Sequence, residues 1–388
     1  MSVTGVMLTY QKQVTEWADR EYWVAPALEG YRAPLSDVVS TARAWAPDAE
    51  VSSVVIWSDP DAPVAAALGG GRTLFLDPST AEVRGEGSRR VRGFMSWNVA
   101  MHRWFGASGE GRTAARAVTG WSNLAFLFLV LSGLVLWAPA RWTRQHLRPI
   151  LLLDRTARGR ARDFNWHHVF GFWAAIPLAV VVASATVISF PWASDLAYRL
   201  AGDEPPARRT VSASRLPPPG ASPAHAPGLP GASGLLGAVP TAPVAAAVPA
   251  VELASFDITL LDAVVEPATR RLAEWRTLSI NVPEHAGVPV QVRVDQGWGG
   301  QPTKRFTGQY DAATGREISW ESFGDQSRGR RFRTFLRFAH TGEYFGIAGQ
   351  TLAGVASLAA VLLAWSGLAL AWRRLVLRPL RRRLETAA

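Results

Sequence analysis

Three of seven histidines carry the chemistry that this sequence can be expected to do. The seven are His102, His146, His167, His168, His225, His285 and His340, and the chain has no cysteine. Iron–sulfur ligation and disulfides are therefore excluded, and a zinc site would need histidine and carboxylate alone. His102, His167 and His340 each precede a long apolar stretch. An imidazole at a membrane boundary is costly unless it has a partner, and it pairs naturally with a metal or cofactor. His102 and His167 share a His-x-x-x-Gly spacing, to Gly106 and Gly171. A glycine one turn along leaves room for a flat macrocycle to approach a helix. Any one of the three alone fits a satisfied interfacial histidine. Three at matching boundaries, in a chain without cysteine, favour haem b, whose iron takes two neutral imidazoles from opposite sides. His225, His285 and His146 lie in linker, turn and arginine-rich loop, and read as solvated.

The elements that must position these residues form an internal repeat. Residues 102–137 and 340–372 align on Ser132-Gly133-Leu134 and Ser366-Gly367-Leu368, which sets Gly120 on Gly354. Each copy holds about twenty mostly apolar residues, enough to cross a bilayer as a helix. Spans are expected near 117–138, 168–190 and 347–371. Residues 1–10 are apolar but too short to span. Thr4-Gly5-Val6 echoes Ala185-Thr186-Val187, so this stretch reads as the tail of a first transmembrane helix that starts upstream.

On that topology His102 and His340 lie on the extracytoplasmic side and share one haem. His167 lies at the cytoplasmic start of the third span, and its partner would belong to the missing start of the first. One or two haems b are therefore expected, the second depending on a histidine outside this sequence. His168 is the neighbouring candidate, about 100° further round the helix. Arg103, Arg116 and Arg337 are suited to pair haem propionates, and a plain boundary arginine fits them equally well.

Composition supports a membrane protein. Among 388 residues 48% are hydrophobic, yet the net charge is +10. Seven arginines fall between Arg141 and Arg162 and six between Arg373 and Arg383, each group directly after an apolar span, while residues 11–112 carry 11 basic and 13 acidic residues. Basic clusters confined to alternate connections mark cytoplasmic loops, which argues against nucleic acid as the partner. The basic loop 139–165 and tail 372–388 are then cytoplasmic. Helix-then-strand patterns recur over 11–112 and 255–338, with strands at 51–57, 72–76, 278–282, 289–294 and 307–310 and turns at Asp77 and Asp311. The Pro/Ala/Gly-rich stretch 203–250 reads as a linker. The expected fold class is a membrane α-helical bundle of four-span type, its first span truncated, with two periplasmic α+β modules.

Several motifs carry a resemblance: His102-Arg-Trp-Phe-Gly, Asn165-Trp-His-His-Val-Phe-Gly-Phe-Trp173, Ile188-Ser-Phe-Pro-Trp192 and Arg337-Phe-Ala-His-Thr-Gly-Glu343. Together they resemble the PepSY-associated transmembrane family, over nearly the whole chain except 203–250. That resemblance implies a multi-pass protein of the bacterial inner membrane, in contact with membrane lipid and linked to iron uptake. It implies a ferric-siderophore reductase with b-type haems, fed by quinol or a cytoplasmic reductase. Reduction of Fe(III) to Fe(II) weakens hard oxygen ligation and releases the metal. The alternative is a non-enzymatic membrane module whose PepSY units bind a periplasmic protein or peptide.

Overall fold

The computed structural model describes residues 1–23, 32–137, 143–207 and 256–377. Most of the expected linker (203–250) and of the basic tail (372–388), as well as residues 139–142 of the basic loop, lie outside them. In chain order the helices and strands are α1 (Ser2–Leu8), α2 (Gln11–Ala18), α3 (Leu35–Trp45), β1 (Val51–Trp57), β2 (Val64–Leu68), β3 (Arg72–Leu76), β4 (Val83–Glu86), α4 (Arg89–Trp104) and α5 (Gly111–Trp137). They continue with α6 (Arg144–Leu151), α7 (Gly159–Ser189), α8 (Pro191–Leu200), α9 (Leu260–Arg270), β5 (Thr277–Asn281), β6 (Val290–Asp295), β7 (Arg305–Tyr310), β8 (Glu317–Ser322), α10 (Arg328–Thr341) and α11 (Gly346–Trp372). The chain divides into a helical unit (residues 1–10, 96–205 and 332–388) and a sheet unit (residues 11–95 and 206–331). Residues 96–112 and 332–338, read from the sequence as parts of the soluble modules, thus belong to the helical unit.

In the sheet unit, eight antiparallel strands run in the order β4-β3-β2-β1-β5-β6-β7-β8. The two α+β repeats are therefore halves of one sheet, not separate modules. They join where β1 pairs β5, with Val55 opposite Ser279 and Trp57 opposite Thr277. Successive side chains alternate between faces. Val54, Ile56, Leu278, Ile280, Val292 and Val294 are buried in one core cluster with Val38, Val39, Leu261 and Val264 of α3 and α9. The opposite face carries Val55, Ala65, Ala67 and Phe75, closed by Tyr22 and Trp57.

The two halves turn alike. Asp77 accepts the Thr80 amide at 3.0 Å and Asp311 accepts the Thr314 amide at 2.8 Å. The main-chain bonds Asp77 N to Glu82 O and Asp311 N to Arg316 O are both 2.8 Å. One turn then places Ala81 in the left-handed region (φ 58°) where the other has Gly315 (φ 64°).

Among the described residues of the helical unit three stretches are long and apolar enough to cross a membrane: Gly111–Trp137, Gly159–Ser189 and Glu343–Leu377. The first two begin well before the expected 117 and 168, because the polar residues there continue the helix. Small residues line the contacts, among them Ala174, Ala175, Ala353, Ala356, Ala359 and Ala360, as close packing of helices in lipid requires. Outward side chains such as Val135 (77% exposed) and Leu136 (83%) are apolar, the surface a lipid phase accepts. Asn123 of α5 clamps α7, donating to Val182 O at 3.0 Å and Thr186 Oγ1 at 2.9 Å. Pro191 cannot extend the α7 ladder and instead opens α8.

The repeat is visible in the packing. A Cβ on Gly120 would lie 3.0 Å from Phe190 and 3.5 Å from Ser189 Cβ, and one on Gly354 would lie 2.9 Å from Thr9. Ser189 and Thr9 are 180 positions apart (189 − 9), so α1 meets α11 as α7 meets α5.

Candidate functional site

His102 and His340 are not at the starts of spans. Each sits in the last turn of a separate helix, α4 or α10, that ends before the apolar helix begins. Two features force the breaks. The α4 helix closes with Phe105 (φ 51°) and Gly106 (φ 74°) left-handed, where the Gly106 amide reaches back to Ala100 O at 3.1 Å. After His340, Gly342 (φ 76°) and Gly349 approach so closely that a Cβ on either would strike the other's carbonyl.

These ends bring the two histidines together. Their ring centres are 6.3 Å apart with 55° between the planes. His102 Nδ1 lies 2.9 Å from Thr4 Oγ1 and 3.2 Å from Met1 O, both of α1 or its cap. His340 Nδ1 lies 2.9 Å from Val181 O and 3.4 Å from Ser184 Oγ, both of α7. Thr4 thus corresponds to Ser184, one position from the Ala185 suggested by the sequence echo, and Met1 to Val181. In both rings these hydrogen bonds run through Nδ1, which leaves Nε2 for a ligand.

His167 lies eight residues inside α7. Its Nδ1 is 2.9 Å from Ser366 Oγ of α11. Fourteen residues of α7 separate it from Val181, so the two histidine levels are about 21 Å apart along the helix. His168 packs elsewhere, its ring 4.3 Å from that of Phe164 with 52° between the planes. Among the described residues no three His, Asp or Glu side chains converge as a metal cluster.

The arginines follow the histidines. The Arg103 guanidinium lies 4.6 Å from the Trp104 ring, and that of Arg112 lies 4.3 Å from the same ring. Burial, then the Arg116 and Arg112 cations, push Arg103 below its ordinary value. A cluster of three positive charges is therefore built next to His102. Arg337 stands one turn before His340, 5.8 Å from the Phe338 ring.

The glycines expected to admit a macrocycle act otherwise. Gly106 terminates α4, and Gly171 packs on α11, where a Cβ would be 3.6 Å from Leu363. The glycines that do face histidines are on the neighbouring helices. A Cβ on Gly5 would lie 3.6 Å from His102 Cε1, and one on Gly367 3.4 Å from His167 Cε1. Arg112, Thr4, Ser184, Ser366, Gly5 and Gly367 are the residues that sequence reasoning missed. Only the Ser-Gly pair at 366–367, repeated at 132–133, left a signal.

Three apolar helices among the described residues, each long enough to cross a membrane, in a chain that also has a separate antiparallel sheet unit, define a membrane protein of the helical class. The family model for the PepSY-associated TM region matches residues 1–374. The chain belongs to that family. No curated protein matches it.

Proposed function

We propose that this protein is a multi-pass inner-membrane electron carrier that holds haem b between His102 and His340 and reduces a periplasmic ferric siderophore. The observation that carries the reading is the histidine pair, with ring centres 6.3 Å apart. An imidazole nitrogen bonds a metal at about 2 Å and lies about 1.2 Å from its ring centre, so two coaxial ligands put the centres about 6.4 Å apart. Rotation about that common axis accommodates the 55° between planes. Two imidazoles are too few for a bare four-coordinate ion. Haem b would ask the protein for two imidazoles, which His102 and His340 could supply.

Bound haem would supply one-electron transfer. The chain's own residues bind and orient. His102 and His340 would hold the group through Nε2, while α1 and α7 fix the rings through Nδ1. Arg103 and Arg116, with Arg112, offer cations to propionate carboxylates, and Arg337 does so from the His340 side. His167 supplies a second level about 21 Å away along α7, within the ~30 Å apolar layer. The electron comes from quinol or a cytoplasmic reductase and is added to Fe(III), which leaves the siderophore as Fe(II). The arginine clusters support a cytoplasmic loop around 143–165 and a periplasmic sheet unit.

The test is the visible spectrum of the purified chain, oxidised and dithionite-reduced. His102→Ala and His340→Ala should each remove the same b-type spectrum, since one iron needs both imidazoles. Full haem content with an unchanged reduced spectrum in either variant would refute the pairing. A wild-type chain without haem leaves the sheet unit as a binding module for a periplasmic partner.

A further inference from the structure

We propose that the second half of the sheet unit carries an anion-binding site centred on Arg293 and, resting on the proposed reduction of a ferric siderophore, that the chelate this protein takes is an anionic one. The site shows as a difference between the two copies. Strands β2 and β3 match β6 and β7, since each pair ends at its Asp-initiated turn. On the face opposite the α3 and α9 core, β2 sets Ala65 against Phe75 and Ala67 against Thr73, and the side chains gathered there are apolar. On the same face β6 sets Gln291 against Gln309 and Arg293 against Thr307. Ser279 of β5 lies opposite Arg293 on its other side. All five are half-buried. Opposite residues on neighbouring strands stand about 5 Å apart at Cβ, so Ser279 and Thr307 flank Arg293 closely. One copy fills this face with apolar groups; the other lays a polar row across three strands with a cation at its centre.

That cation has no partner of its own. Among the described residues none makes a hydrogen bond or ion pair with the Arg293 guanidinium. The carboxylates on the face are committed elsewhere. Asp295 accepts the Gly297 amide at 2.7 Å and Arg305 at 3.4 Å, and Glu321 accepts Arg330 at 2.8 Å. Burial, then the Arg305 cation, push Arg293 below its ordinary value against the opposing pull of Asp295. A half-buried cation without a counterion is a standing cost to the fold. An anionic oxygen pair, from a carboxylate or a catecholate, fits the unused fork in bidentate fashion. The Ser279 and Thr307 hydroxyls and the Gln291 and Gln309 amides can donate to further oxygens. A neutral chelate would leave the charge uncompensated.

The experiment is isothermal titration calorimetry on the full chain in detergent, with gallium(III) in place of iron so that no electron can be transferred. The probes are an anionic gallium(III) tricatecholate and a neutral gallium(III) trihydroxamate. The wild type should bind the anionic complex more tightly than the neutral one. Arg293→Gln should bind the anionic complex at least about tenfold more weakly, a loss of about 1.4 kcal/mol. Arg293→Lys, which keeps the charge but not the fork, should fall between. Because the guanidinium has no partner to lose, Arg293→Gln should unfold at the wild-type temperature or above, and the anionic complex should raise the unfolding temperature of the wild type alone. Equal affinity of wild type and Arg293→Gln for the anionic complex would overturn the proposal, as would a wild type that binds it no tighter than the neutral one or not at all. Binding of the gallium complex that depends on Arg293, without reduction of its iron counterpart, refutes the reductase reading and leaves this site standing. Reduction of a neutral iron chelate, with binding indifferent to Arg293, does the reverse.

Discussion

At the residue scale, Tyr310 carries a fault that substitution can remove. It is fully buried, its Oη has no hydrogen-bond partner among the described residues, and burial pushes its hydroxyl up to about 12. An unsatisfied buried hydroxyl costs about 1–3 kcal/mol. Tyr310→Phe should therefore raise the unfolding temperature of the protein, read by differential scanning calorimetry. Asp77 behaves in the opposite sense. Burial acts to raise its carboxyl, but hydrogen bonds from Arg84 and Ser79 outweigh it and hold it well below the ordinary range. A depressed folded value means the stabilisation is fully present above the unfolded value near pH 3.8 and is lost as the pH falls through the folded one. Asp77→Asn should lower stability at neutral pH and flatten the acid limb of a stability–pH profile. The histidines of the site are legible in the sequence because so few polar rings border apolar runs. Thr4 and Ser184 are not, since any span holds small hydroxyl residues and only the facing helix puts one on Nδ1, while Ser366 is marked only by the repeated Ser-Gly-Leu.

At the scale of elements, the link between repeats is a helix cap. Asp262 of α9 accepts the Leu35 amide at 2.6 Å and the Ser36 hydroxyl at 3.0 Å, which caps α3 from the other half of the sheet unit. A lost cap costs about 1–2 kcal/mol. Asp262→Ala should lower the unfolding free energy read from a urea titration by that much, with Asp262→Asn in between. The strands legible beforehand are those with alternating branched side chains, such as Val51–Trp57 and Val290–Asp295. Strand β2, Val-Ala-Ala-Ala-Leu, is buried along its whole length and has little intrinsic preference for strand. It becomes one because β1 and β3 flank it. Edge strands β4 and β8 are short or polar, and so gave no pattern.

At the scale of the whole molecule, the arginine distribution makes the firmest forecast. Reporter fusions after residue 150 should be active only in the cytoplasm, and fusions after residue 320 only in the periplasm. Periplasmic activity at 150 would refute the topology. The duplicated plan is legible in the sequence from the two Ser-Gly-Leu spans and the two Asp-initiated turns. That the copies share one sheet is not, because strand pairing between remote segments leaves no local mark. The pairing has a consequence for how the protein is made. Val55 and Ser279 sit opposite each other yet lie 224 residues apart (279 − 55) in the chain. At about 5–20 residues per second, a ribosome needs roughly 10–45 s to make that interval. For all of that time β1 has an open flank, able to pair with any other nascent strand. Biogenesis of this protein thus includes an obligatory waiting state, shielded by the chain's own neighbours or by a holding chaperone.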